Sequence, residues 1–186
     1  FEDSKQLPGL RIAVNVSAAQ LRLKDFVPHL KDLAAQTQVE THRIELEITE
    51  GILLGDDAGI RERLDQIRAL GFRIALDDFG TGYSSLSYLQ RYPIDKIKID
   101  RSFIANLGAE ANADAVVGAI VRLARALRLD VIAEGVETEV QRVRLAAAGC
   151  GDIQGYLFGR PMPLNSLLDS LSAAPGEEEA PLVARA

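Results

Sequence analysis

A single cysteine, Cys150, leaves no route to an intrachain disulfide, so the chain reads as a protein of a reducing, cytoplasmic compartment. No apolar run approaches the ~18 residues that a membrane-spanning helix needs, and no membrane contact is expected from this segment. Positive charge is in deficit. With 21 Lys and Arg against 27 Asp and Glu, the net charge of −6 argues against a nucleic-acid polymer as partner, because phosphate backbones require a basic surface. The two histidines, His29 and His42, fall in no motif and receive no role. The chain opens at Phe1 with no Met and no signal-peptide pattern, and it reads as a piece of something longer.

What is present is an apolar content of 47% over 186 residues, enough for one good core and one domain. Six short apolar runs each end in a carboxylate or carboxamide: Ile12 to Asn15, Ile44 to Glu47, Ile74 to Asp78, Ile97 to Asp100, Val131 to Glu134, and Ile153-Gln154. Helix-like stretches separate most of them. When parallel strands alternate with helices, all the strand C-termini emerge on one face, so these side chains converge there. Acids gathered on one rim repel one another unless cations neutralise them. The pattern predicts a Mg²⁺ or Mn²⁺ site, and with it phosphate chemistry.

Helices are predicted from apolar residues at three- and four-residue spacing. One runs from an Asp56 or Asp57 cap through Ile60, Leu64, Ile67 and Leu70 to Gly71. Others cover 113–128, with Arg122, Arg125 and Arg128 facing outward, 138–148 ended by Gly149, 28–36, and 84–91 closed before Pro93. Residues 1–9 read as a linker or the end of a preceding helix, 10–172 as the folded domain, and 173–186 as a disordered acidic tail. Strands rich in Ile, Val and Leu suit a parallel sheet. Acids at nearly every strand end favour a barrel over a doubly wound open sheet.

The sharpest motif is Asp77-Asp78-Phe79-Gly80-Thr81-Gly82-Tyr83-Ser84-Ser85-Leu86. Adjacent aspartates at a strand end let one carboxylate bridge two cations while its neighbour binds one. Gly80, Thr81 and Gly82 form a loop whose backbone can approach a ligand closely. An ordinary tight turn with an N-capping Ser fits the same spacing. Lys98, between Ile97 and Ile99, points to the opposite side of its strand, into the barrel, with Asp100 as its expected anion. Glu50 and Glu137 follow Glu47 and Glu134 by three residues, which suits either loop-holding or solvated turn acids. Gln154 reads as a site contact or a structural amide, Tyr156 and Phe158 as core, and Cys150 as a small packing residue.

The Asp77 to Leu86 motif resembles the hallmark of EAL domains, the bacterial phosphodiesterases of cyclic di-GMP. Asn15-Val16-Ser17, Glu47-Ile48-Thr49-Glu50, Lys98-Ile99-Asp100, Glu134-Gly135-Val136-Glu137 and Gln154 to Pro161 resemble further family motifs in the same order. The Glu-Ala-Leu segment itself does not occur in the sequence. The resemblance implies a modified (β/α)₈ TIM-type barrel with one antiparallel strand, of which six of the eight strands are present here, so both outer strands should have open edges and the chain should associate as a homodimer. It implies two Mg²⁺ or Mn²⁺ ions, with Asn15, Glu47 and Asp77 on the first, and Asp77, Asp78 and Glu134 on the second. It assigns Lys98 to the attacking water, Glu50 to anchoring the loop 79–84 and Glu137 to supporting the site. The implied reaction is hydrolysis of cyclic di-GMP to linear pGpG by a parent protein with an N-terminal regulatory domain. A catalytically silent cyclic di-GMP receptor is the other reading, and these residues alone are expected to turn over little.

Overall fold

Strict alternation of large apolar and charged residues, Ile44-Glu45-Leu46-Glu47 and Lys96-Ile97-Lys98-Ile99, forces the strands to present two chemically different faces. A computed structural model of the chain describes residues 10–53, 58–81 and 86–173. Its element order is β1 (Ile12–Asn15), α1 (Ala18–Arg22), α2 (Phe26–Thr37), β2 (Ile44–Thr49), α3 (Ala58–Ala69), β3 (Arg73–Phe79), α4 (Leu86–Arg91), β4 (Lys96–Ile99), α5 (Arg101–Ile104), α6 (Ala111–Ala126), β5 (Asp130–Ala133), α7 (Glu139–Ala148), β6 (Asp152–Ile153) and α8 (Leu164–Ala173). The six strands pair in chain order, β1 to β6, and every pairing is parallel. This is an incomplete α/β barrel whose edges, among the described residues, are β1 and β6. The antiparallel strand implied by the resemblance is not among these six.

The core lies between strands and helices. Leu46, Ile48, Ile74, Leu76 and Ile97 pack against Leu21, Ile60, Leu64, Ile67 and Ala124. A second cluster joins Ile99 and Ala133 to Ile104, Val117, Val121 and Leu145. The expected helices form within one or two residues of their predicted bounds, apart from 84–91, which opens with residues 84 and 85 outside the described set. At α7 the reason is local: Thr138 and Gln141 form a capping box at its start, and Gly149, at φ +86°, accepts the left-handed turn that ends it. The predicted caps at Asp56 or Asp57, the linker 1–9 and the tail beyond Ala173 lie outside the described residues. The short helices α1 and α5 and the helix α8 were not foreseen. The first two have 5 and 4 residues, too few for a periodic apolar signal.

Candidate functional site

With Leu46, Ile48, Ile97 and Ile99 turned toward the helices, Glu45 and Glu47 of β2 and Lys96 and Lys98 of β4 point into the lumen, where all four are buried. They form two tiers. In the lower one, the Lys96 ammonium lies 2.8 and 2.7 Å from the two carboxylate oxygens of Glu45. In the upper one, Lys98, 1% exposed, has its Nζ 2.6 Å from Glu47, 2.8 Å from Asp77 and 2.7 Å from Glu134. Beneath both, Arg73 of β3 pairs with Asp130 of β5. Burial alone pushes the Lys98 pKa down. The charge of Glu134 and the hydrogen bonds to Asp77, Glu134 and Glu47 outweigh it and hold the pKa above the ordinary lysine value, so the group stays an ammonium.

Successive residues of a strand face opposite ways, so Asp77 and Asp78 could not both reach the rim from a regular strand. The register between β3 and β4 resolves this. Leu76 pairs with Ile97 and Phe79 with Ile99, so Asp77 and Asp78 together oppose Lys98, a bulge. Asp78 adopts φ +54°, in the left-handed region that a side chain rarely enters. The result brings ligand oxygens of Asp77, Asp78 and Glu134 within 4.8 Å of one another. Such an all-oxygen, all-carboxylate set suits a hard divalent cation.

Around this centre the expected residues fall into different places. Asn15 ends β1 in register with Glu47 and is exposed at the sheet edge. Glu50 opens a 3₁₀ turn and is buried, which removes the solvated-turn reading, and its carboxylate accepts the Gly80 N–H at 3.4 Å. The Thr81 hydroxyl donates to the Asp78 carbonyl at 2.9 Å, and Gly82 lies outside the described residues. Gln154 lies beside this centre, its Nε2 donating to Glu134 Oε1 at 2.6 Å. Glu137 presents an exposed carboxylate, and what it contributes inward is its backbone N–H, donated to Gln141 Oε1 at 2.8 Å.

Two expectations are corrected. Asp100 is not the anion of Lys98. Its Oδ1 accepts the Ser102 N–H at 3.0 Å and caps α5, while Lys98 draws on Glu47, Asp77 and Glu134. Tyr156 and Phe158 are not core: they are 54% and 43% exposed, because in the turn after the edge strand β6 it is Leu157 that faces the second cluster. The Arg160 guanidinium instead covers the Tyr156 ring, 4.6 Å from its centroid. Cys150 does pack as expected, and burial, with the nearby charge of Asp152, pushes its thiol pKa up to about 12. Glu45 and Lys96 were missed. The signal was their two-residue offset from Glu47 and Lys98, which puts them on the same inward face.

The family description "EAL domain" matches residues 1–161. The chain is 44% identical over 161 residues to the bifunctional diguanylate cyclase/cyclic di-GMP phosphodiesterase MucR of Pseudomonas aeruginosa, covering 87% of this chain and 24% of MucR. It is 42% identical to the cyclic di-GMP phosphodiesterase NbdA of the same organism, covering 88% of this chain and 21% of NbdA. It therefore spans about a quarter or less of the length of these two relatives. The solved structure of the MucR phosphodiesterase in complex with cyclic di-GMP superposes with a TM-score of 0.79 over 84% of this chain and 64% of that one, at 44% identity. The EAL enzyme Bd1971, bound to cAMP and cyclic di-GMP, gives 0.86 over 91% of this chain and 45% of its own, at 38% identity. The match to the family covers most of the folded residues, its relatives share the barrel, and the chain belongs to the EAL domain family.

Proposed function

We propose that the full-length protein hydrolyses one phosphodiester of cyclic di-GMP to give linear pGpG, using two Mg²⁺ or Mn²⁺ ions. The observation that carries this reading is the bulge that turns Asp77 and Asp78 to the same rim as Glu134, within 4.8 Å. The names of MucR and NbdA as phosphodiesterases of cyclic di-GMP, and the cyclic di-GMP bound in the MucR structure, support it. In this reading Asn15, Glu47 and Asp77 hold one ion, and Asp77, Asp78 and Glu134 the other. When bound, such a pair supplies a hydroxide at neutral pH and offsets charge on the phosphoryl oxygens. Lys98 keeps Glu47, Asp77 and Glu134 gathered about one point, orients the attacking water and meets the negative charge that develops on the phosphoryl group. Gln154 donates to the same Glu134 Oε1 that Lys98 approaches and so helps fix that carboxylate, and Glu50 restrains the turn at Gly80.

Chromatography of the products formed from cyclic di-GMP and Mn²⁺ by the full-length protein tests the proposal. Formation of pGpG is the expected result. Saturable binding without product would make the protein a receptor, and neither would remove cyclic di-GMP from the account. A Glu-Ala-Leu segment does not occur among these 186 residues, and we expect them alone to turn substrate over slowly or not at all. A regulatory domain in the same chain and a homodimer complete the proposal.

A further inference from the structure

The bulge at Asp77 and Asp78 departs from regular strand pairing, and contacts on two sides hold it there. At φ +54° Asp78 stands in the left-handed region, which an aspartate enters more readily than most residues but which still needs local partners to hold it. On one side the restraint is polar: the Thr81 N–H and hydroxyl both donate to the Asp78 carbonyl, at 3.3 and 2.9 Å, and Glu50 accepts the Gly80 N–H. On the other side it is steric. Gly80 has φ +97°, and a Cβ built there would stand 2.7 and 2.8 Å from Cε2 and Cζ of Phe103. The aromatic ring therefore fills the space that a side chain at Gly80 would occupy and closes the direction in which the turn could relax.

We propose that Phe103 is a positioning residue for the metal-binding turn, a wall that keeps Asp77 and Asp78 presented together. The inference rests on the proposed metal-dependent reading of that site. Phe103 can act as a wall because it is itself fixed. It stands on α5, whose first turn is capped by Asp100, its own N–H donates to the Asp100 carbonyl at 3.1 Å, and its ring packs partly into the second core cluster. Asp100 follows directly on β4, and Ile99 of that strand pairs with Phe79, the residue after the bulge. The turn is thus gripped at Phe79 by the sheet and at Gly80 by the ring. Asp100, which does not serve Lys98, serves the site through Phe103.

The test uses the full-length protein with Phe103→Ala and Phe103→Leu. Two readouts are taken: the affinity for Mn²⁺ alone, by titration followed by electron paramagnetic resonance, and amide hydrogen exchange of residues 76–81 without metal. Phe103→Ala should weaken Mn²⁺ binding by roughly 10-fold or more, the range typical of residues that orient ligands from behind, and speed exchange across 76–81. Phe103→Leu, which keeps apolar bulk and the fold, should recover part of both. If either variant lowers the melting temperature while Mn²⁺ affinity and exchange at 76–81 match the wild type, Phe103 is core packing and the proposal fails. A wild-type protein that takes up no Mn²⁺ would sink the metal reading instead. The exchange of 76–81 would then still decide whether Phe103 holds the turn.

Discussion

The two charged tiers of the lumen share β2 and β4, the upper one adding β3 and the end of β5, and they differ in balance. The lower tier sets one carboxylate, Glu45, against one ammonium, Lys96. The upper tier sets Glu47, Asp77 and Glu134 against Lys98, with Asp78 alongside. Burial makes the difference consequential. A buried pair with matched charge is self-contained, whereas surplus buried carboxylate has to be neutralised by protons or by cations. The lower tier is therefore complete with the side chains it has. Among the described residues, the upper tier gathers more carboxylates than ammonium groups on the rim where strand ends and loops meet, the usual address of chemistry in this architecture. Position along the strand, not residue type, separates a structural ion pair from a reactive one.

The largest effect that bears on this contrast is expected from Asp77→Asn in the full-length protein. Turnover of cyclic di-GMP should fall by at least ~100-fold, since one lost group that stabilises charge in the transition state commonly costs that much. Mn²⁺ should also cease to raise the melting temperature. Retention of a tenth of the wild-type rate would show that Asp77 does not bridge two ions.

Lys96→Met should destabilise the fold by about 3–5 kcal/mol in urea denaturation, because it strands Glu45 as an uncompensated buried charge. Mn²⁺ should not close that gap, and a gap that closed on adding Mn²⁺ would mean the tiers are not separate. Replacing both members, Glu45→Leu with Lys96→Met, should recover most of the loss.

Lys98→Met should cost a similar amount without metal and less with it, as the cation takes over the neutralising role of the ammonium. Binding of cyclic di-GMP should survive while kcat falls. A raised KM with unchanged kcat would make Lys98 a substrate clamp instead.

The smallest effect concerns the turn above the upper tier. Glu50→Gln keeps shape but replaces a charged acceptor at Gly80 with a neutral one, a change worth about 1 kcal/mol. Exchange of residues 76–81 should quicken with little change in global stability, and identical exchange would release Glu50 from that role.

Much of this was legible in the chain. The strands announced themselves as Ile- and Val-rich runs, the helices as three- and four-residue spacings with Gly71 and Gly149 behind them, and the rim as acids at strand ends. The geometry that makes Asp77 and Asp78 useful was not legible, because a bulge is a property of pairing with Lys98 and leaves no trace in the spacing of one strand. Asp100 misled for a related reason: it is two residues from Lys98 in sequence, but the strand ends between them and the carboxylate turns back on Ser102. Tyr156 and Phe158 read as core by composition, while the alternation around Leu157 sends them outward. Glu45 and Lys96 were readable in principle. They went unread because attention to strand ends overlooks what stands one tier below.

Ala75 carries a consequence for how this sequence can drift. Strand β3 lies between β2 and β4, and Ala75 is in register with both Glu47 and Lys96, so its side chain faces inward with them. Glu45 and Lys96 meet across β3, the strand that carries this short, fully buried side chain. Valine is ordinarily a welcome guest in a buried strand, yet here its two added methyl groups would stand in the path between the partners. Inherited change should therefore come as joint exchanges at Glu45 and Lys96, with Ala75 held small between their strands.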